Sequence, residues 1–201
     1  MSNKFFYGFL VIVVVIAGIY LATNKAKSST AVQPAASLAS LSTDPAPWAP
    51  EYQHLTSRLK AINLPLLGAE GTALHIHVHL DIYVNGRVVT VPASIGIPPS
   101  GGITPVHTHD TTGIIHVESP DAHATYTLGQ LFDIWGVKFT DNSLGSYEDN
   151  DTSKMVVFSN GKEVKDPMNL PFKAHEEIAI SYGTPQQQPT IPITYQFPQG
   201  L

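Results

Sequence analysis

The chain has 201 residues, 43% of them hydrophobic and 13% charged, with a net charge of −5 when its nine histidines are neutral. That length suits one ordinary domain plus extensions, and the acidic balance leaves no basic footprint for nucleic acid. Cysteine is absent, which excludes disulfides, thiolate zinc sites, blue-copper ligation and a cysteine nucleophile.

Residues 5–22 form an uninterrupted uncharged run, FFYGFLVIVVVIAGIYLA. As a helix it would reach ~27 Å, close to a ~30 Å hydrocarbon core. It has no polar face, so a helix on the surface of a soluble core is disfavoured. No convincing small-x-small cleavage site follows it. The reading is an uncleaved transmembrane signal anchor over 1–22, with the rest of the chain on the extracytoplasmic side of the cell membrane. Residues 23–49 are rich in Ala, Ser, Thr and Pro without a period and read as a flexible linker. The folded domain is expected over 50–183, followed by a Pro/Gln-rich tail over 184–201.

Within the domain, Pro50-Glu51 opens a helix to about Ala61, with Tyr52, Leu55, Leu59 and Ile62 as its apolar stripe. Residues 73–84 alternate apolar and polar as a strand does. Asn85-Gly86 turns that strand into a second one over 87–91. Residues 95–104 are a Pro/Gly-rich loop, and 113–118 form another strand. Thr127 and Gln130 make a capping box for a short amphipathic helix carrying Leu128, Leu131, Phe132 and Trp135, which Gly136 ends. Residues 141–153 read as a polar loop. A strand over 154–158, a second Asn-Gly hairpin at Asn160-Gly161 and a strand over 177–182 follow. Residues 191–197 suit an edge strand or a loose tail. The fold class is therefore α+β, a small mixed or antiparallel sheet with a packed short helix. The order of elements from 113 to 182 resembles β-grasp domains.

The strongest functional signal is the placing of histidines. In HIHVHLDIYV, His75, His77, His79 and Asp81 share one face of a strand and Ile76, Val78, Leu80 and Ile82 the other. Same-face neighbours along a strand lie ~7 Å apart, too far for three of them to chelate one small ion unaided. His107 and His109 repeat the His-x-His spacing, and His116 and Glu118 follow at alternate positions. The loop 95–104 is long enough to bring 107–109 back over the strand face. Imidazole suits Zn²⁺ and Cu²⁺. The candidate ligands are His75, His77, His79, His107, His109 and His116, with Asp81, Asp110 and Glu118 orienting ring N–H groups. Six histidines exceed one tetrahedral shell, so either two ions bind or some histidines are structural. His54, His123 and His175 stand apart and read as surface or turn residues.

The blocks HIHVHLDIYVNG, HTHDTTGIIHVESP and YTLGQLFDIWGV resemble those of a group of uncharacterised exported or membrane-anchored prokaryotic His-rich proteins. The likeness spans roughly residues 74–183. It implies export and a common purpose for the histidine blocks, and carries over no activity. The expected function is metal binding, sensing or delivery. The alternatives are an enzyme whose His-held ion activates water, in the carbonic-anhydrase manner or hydrolytically, and a structural domain whose histidines simply hydrogen-bond to carboxylates and water. No HExxH, Gly-x-Ser-x-Gly or phosphate-binding glycine loop is present.

Overall fold

The computed structural model describes residues 40–201. In chain order its elements are α1 (Leu55–Ala61), β1 (Leu74–Val84), β2 (Arg87–Val89), β3 (Val106–His107), β4 (Ile114–Ser119) and α2 (Leu128–Trp135). Then come β5 (Phe139–Thr140), β6 (Ser143–Leu144), β7 (Tyr147–Glu148), β8 (Lys154–Ser159), β9 (Lys162–Val164) and β10 (Glu176–Gly183). The expected anchor over 1–22 and the linker as far as residue 39 lie outside the described residues. Among the described residues no helix is long and apolar enough to cross a membrane.

Both Asn-Gly pairs form the turn their sequence specifies. Asn85 and Gly86 have φ of 52° and 77°, and Asn160 and Gly161 48° and 76°. Positive φ at both positions is the type I′ turn, whose twist matches the strands it joins. The result is an α+β architecture with a seven-stranded mixed sheet in the order β3-β4-β1-β10-β8-β9, and β2 beside β1. β5, β6 and β7 make a separate small sheet.

β1 is the hub. One of its edges runs parallel to β10 over Val78 to Val84. Its other edge is divided, antiparallel to β4 over Leu74 to His79 and to β2 over Ile82 to Val84. On the apolar face Val78, Leu80, Ile82 and Val84 are buried in one cluster with Leu131, Phe132 and Trp135 of α2 and with Ile178 and Ile180 of β10. The α2 ends are those expected: Thr127 Oγ1 accepts from Gln130 N, Gln130 Oε1 accepts from Thr127 N, and Gly136 closes the helix at φ 87°.

Several elements differ from the sequence reading. The first helix begins at Leu55, not at Pro50, because the backbone N–H of Glu51 donates to Trp135 O and the Glu51 carboxylate accepts from His54 N. Those bonds hold 51–54 in a turn against the end of α2. The buried Arg58 adds to this by donating to the Glu51 carboxylate and to the carbonyls of Glu51, Asp133 and Ile134. The stretch 141–153 contains β6 and β7. Residues 191–197 form no strand. Residues 40–49, which composition assigns to the linker, pack on the domain. Ser42 N donates to Gly136 O, and Trp48 is buried with its ring edge-on to Trp135.

Candidate metal centre

The sheet register assembles the histidines. His77 on β1 lies opposite His116 on β4, and His116 lies opposite His107 on β3. One step along, His75 lies opposite Glu118. Neighbouring strands are ~4.8 Å apart, against ~7 Å between same-face residues along one strand. Convergence therefore happens across the sheet. Ring centroids are 4.6 Å apart for His77 and His116, and 5.4 Å for His107 and His116. The loop 95–104 does not fold back over β1. It delivers His107 as an edge strand, with β4 between it and β1. His109, two residues beyond, stands edge-on to His107 at 4.8 Å and to His116 at 4.5 Å.

The donor atoms face one another. His107 Nδ1–H donates to Thr104 O at 2.9 Å, which makes its Nε2 an acceptor, turned toward His109 Nε2. An imidazole that gives one N–H to a carbonyl has its other nitrogen aimed and basic. His107 Nε2 is 3.2 Å from His109 Nε2. Two nitrogens bound at 2.0–2.1 Å to one tetrahedral ion sit about 3.3 Å apart. His75 Nε2 and His116 Nδ1 are 3.2 and 3.5 Å from Glu118 Oε1, and His109 Nε2 is 3.4 Å from Glu70 Oε1. Within this cluster three sets have donor atoms mutually within 4.8 Å: His75, His77, His116 and Glu118; His107, His109 and His116; and Glu70, His107 and Glu118.

The floor of this group is dry and its rim wet. His107 is fully buried, and His77 and Glu118 nearly so. His75, His109 and Glu70 are about half exposed. Among the described residues His77 Nε2, His116 Nδ1 and Glu118 Oε2 are buried without a hydrogen-bond partner. Leaving such a group unsatisfied costs roughly 1–3 kcal/mol, and three of them lie together here. Burial, then repulsion from neighbouring imidazoles, holds His116 down to about 3. Burial also holds His107 at about 4, against the bond to Thr104, and lowers His77. Burial and the nearby Glu70 charge raise Glu118. Three of the rings are thus neutral at pH 7, the state in which imidazole binds a metal.

His79 belongs elsewhere. Its Nε2–H donates to Thr112 O at 3.0 Å, and Nδ1 shares a proton with Glu177 Oε2 at 2.7 Å. Burial disfavours its charge, but the bond to Glu177 and the charges of Glu177 and Asp81 outweigh it, so its pKa is raised. Tyr195 stacks on the ring at 3.6 Å. Both nitrogens are committed, and His79 forms its own group with Asp81 and Glu177. Gly113, at φ 86°, permits this approach: a Cβ there would meet Leu80 O at 2.7 Å and His79 Nε2 at 2.9 Å. Asp81 therefore attends His79 and not the main cluster. Asp110 accepts from Thr112 N and Oγ1 within its own turn. Glu118 lies at the centre of the main cluster. His54 is exposed beside Glu51, and His175 Nε2 bonds Leu201 O.

Sequence reasoning missed Glu70, Glu177, Thr104 and Tyr195. Glu177 left a trace, as an acidic residue at the start of an otherwise apolar strand. Glu70, alone in a loop, left none. Comparison with family models, with curated proteins and with solved structures found no match to this chain.

Proposed function

We propose that this is a membrane-anchored, extracytoplasmic metal-binding protein that takes up Zn²⁺ or Cu²⁺ at His75, His77, His107, His109, His116 and Glu118. The observation that carries the reading is the row of three imidazoles across β1, β4 and β3, with two of its ring nitrogens buried and unpartnered. Nitrogen and carboxylate donors without thiolate suit either ion. The protein serves in binding, sensing or delivery of the ion. The apolar run over 5–22 and the resemblance of the histidine blocks support the anchor and the outward-facing domain, and the element order from 113 to 182 supports a β-grasp-like C-terminal half.

Metal analysis of residues 40–201, purified without a histidine tag, tests the reading. A tightly held equivalent of Zn²⁺ or Cu²⁺ is expected. His77→Ala and His116→Ala should each weaken the same ion, and the double variant should be non-additive because both rings fall in one donor set. Absence of tight binding sinks the proposal. A second reading, water activation at the ion, draws on the cleft of about 350 Å³ that His75 and His77 line with Ala174 and His175. It requires turnover of CO₂ or an activated ester that disappears in His77→Ala.

A further inference from the structure

Resting on that metal-binding reading, the geometry points to a two-ion centre in which the Glu118 carboxylate bridges the ions. The argument begins with a count of donors. Five imidazoles, one oxygen of Glu70 and both oxygens of Glu118 supply eight donor atoms, which is two complete four-coordinate shells. One shell would need all the nitrogens within about 3.3 Å of one another. The rings are instead spread across three strands at one strand spacing each, so a single ion cannot reach both ends of the row.

The donors also divide by distance. Glu118 Oε1 lies 3.2 Å from His75 Nε2 and 3.5 Å from His116 Nδ1, and these three residues group with His77. On the other side His107 Nε2 and His109 Nε2 are 3.2 Å apart, and Glu70 Oε1 is 3.4 Å from His109 Nε2. Glu118 joins this second set as well, since it groups with Glu70 and His107. Its Oε2 is buried and has no hydrogen-bond partner among the described residues. The first ion therefore takes His75, His77, His116 and Glu118 Oε1. The second takes His107, His109, Glu70 and Glu118 Oε2. His116 reaches toward both sets, and ring and carboxylate together keep the ions close. Carboxylate-bridged pairs sit roughly 3.5–4 Å apart.

The electrostatics agree with the assignment. Two divalent cations so close repel strongly, and seven neutral-or-anionic side chains with no lysine or arginine among them offset this. The two carboxylates bring formal charge of −2, Glu118 from the buried floor and Glu70 from the half-exposed rim.

The experiment is titration of the full-length chain, in detergent and without a histidine tag, with CuSO₄. Bound copper is counted by mass spectrometry and its spins by electron paramagnetic resonance. Two Cu²⁺ per chain are expected, with a half-field transition and with integrated intensity or line shape altered by spin–spin coupling. Glu118→Gln should abolish the coupling. Glu70→Gln, at the exposed rim where folding is not at risk, should weaken one equivalent by at least about tenfold and leave the other unchanged. His79→Gln should leave both equivalents and the coupling intact. One equivalent per chain overturns the two-ion centre and leaves the metal-binding reading standing. No bound copper overturns both. Two uncoupled spins overturn the shared centre and place the second ion elsewhere, with loss of that spin in His79→Gln locating it at the His79, Asp81 and Glu177 group.

Discussion

Replacing His77 with Leu should make the metal-free protein more stable and the metal-loaded protein weaker. His77 is only 5% exposed and its Nε2 has no partner. An unsatisfied buried nitrogen costs roughly 1–3 kcal/mol, and an apolar side chain of similar size removes that cost. In EDTA the variant should therefore gain ~1–3 kcal/mol. With a urea dependence of ~1–3 kcal/mol per molar, the midpoint should rise by about 1 M. With Zn²⁺ at a hundred times its dissociation constant, the natural chain should gain ~2.7 kcal/mol by mass action, and the variant a small fraction of that. Urea unfolding of residues 40–201, followed by tryptophan fluorescence with and without Zn²⁺, reads both effects. If His77→Leu is destabilised in EDTA, as an ordinary core lesion would be, or if it keeps the full Zn²⁺ increment, then His77 is a structural residue and the reasoning fails.

Leu80→Ala, at 2% exposure on the apolar face of β1, should cost ~2–5 kcal/mol by urea unfolding. Arg58→Ala strips the Glu51 carboxylate and three backbone carbonyls of a buried donor and should cost ~3–5 kcal/mol, visible as a large drop in thermal midpoint. In acid, His107 stays neutral in the folded chain down to about 4 while the unfolded chain protonates near 6.5. The unfolded state then binds the extra proton, so His107 should take about 1.6 kcal/mol from metal-free stability between pH 6.5 and 5, and His116, held at about 3, a similar amount. His79 runs the other way, stabilising below its unfolded value and losing that contribution as pH rises through its raised folded value, so it does not mask the acid loss. His107→Gln should remove about half of that acid loss, measured by urea midpoints, with His116 carrying most of the rest. Protease added to intact spheroplasts should degrade the domain, and complete protection would refute the outward orientation.

The parts of this fold readable from sequence are those whose determinants lie within a few residues of one another. Asn85-Gly86, Asn160-Gly161 and the Thr127/Gln130 capping box are of this kind, and so is the parity of β1. The histidine cluster was visible as composition, but its construction was not. His77 and His79 are equivalent along the strand. They differ because one faces His116 on β4 while the other faces Glu177, 98 residues away on β10. Nothing local records which neighbour a strand will have. The same limit applies to Tyr195, whose Pro/Gln-rich surroundings hide a ring that covers His79, and to Trp48, which composition places in a linker and packing places in the core.

The division of β1 between β10, β4 and β2 also bears on the order in which the molecule is made. Its pairings are almost all distant in sequence, and distant pairings form slowly because loop closure must come first. The unfolded chain nevertheless already holds three His-x-His pairs, 75/77, 77/79 and 107/109, at their final spacing in sequence. An ion present during folding meets those local chelates before the row across three strands exists. Metal bound there stabilises the unfolded chain and subtracts from the gain on folding. Refolding should then be faster when the ion is added after the sheet has closed than when it is present from the start.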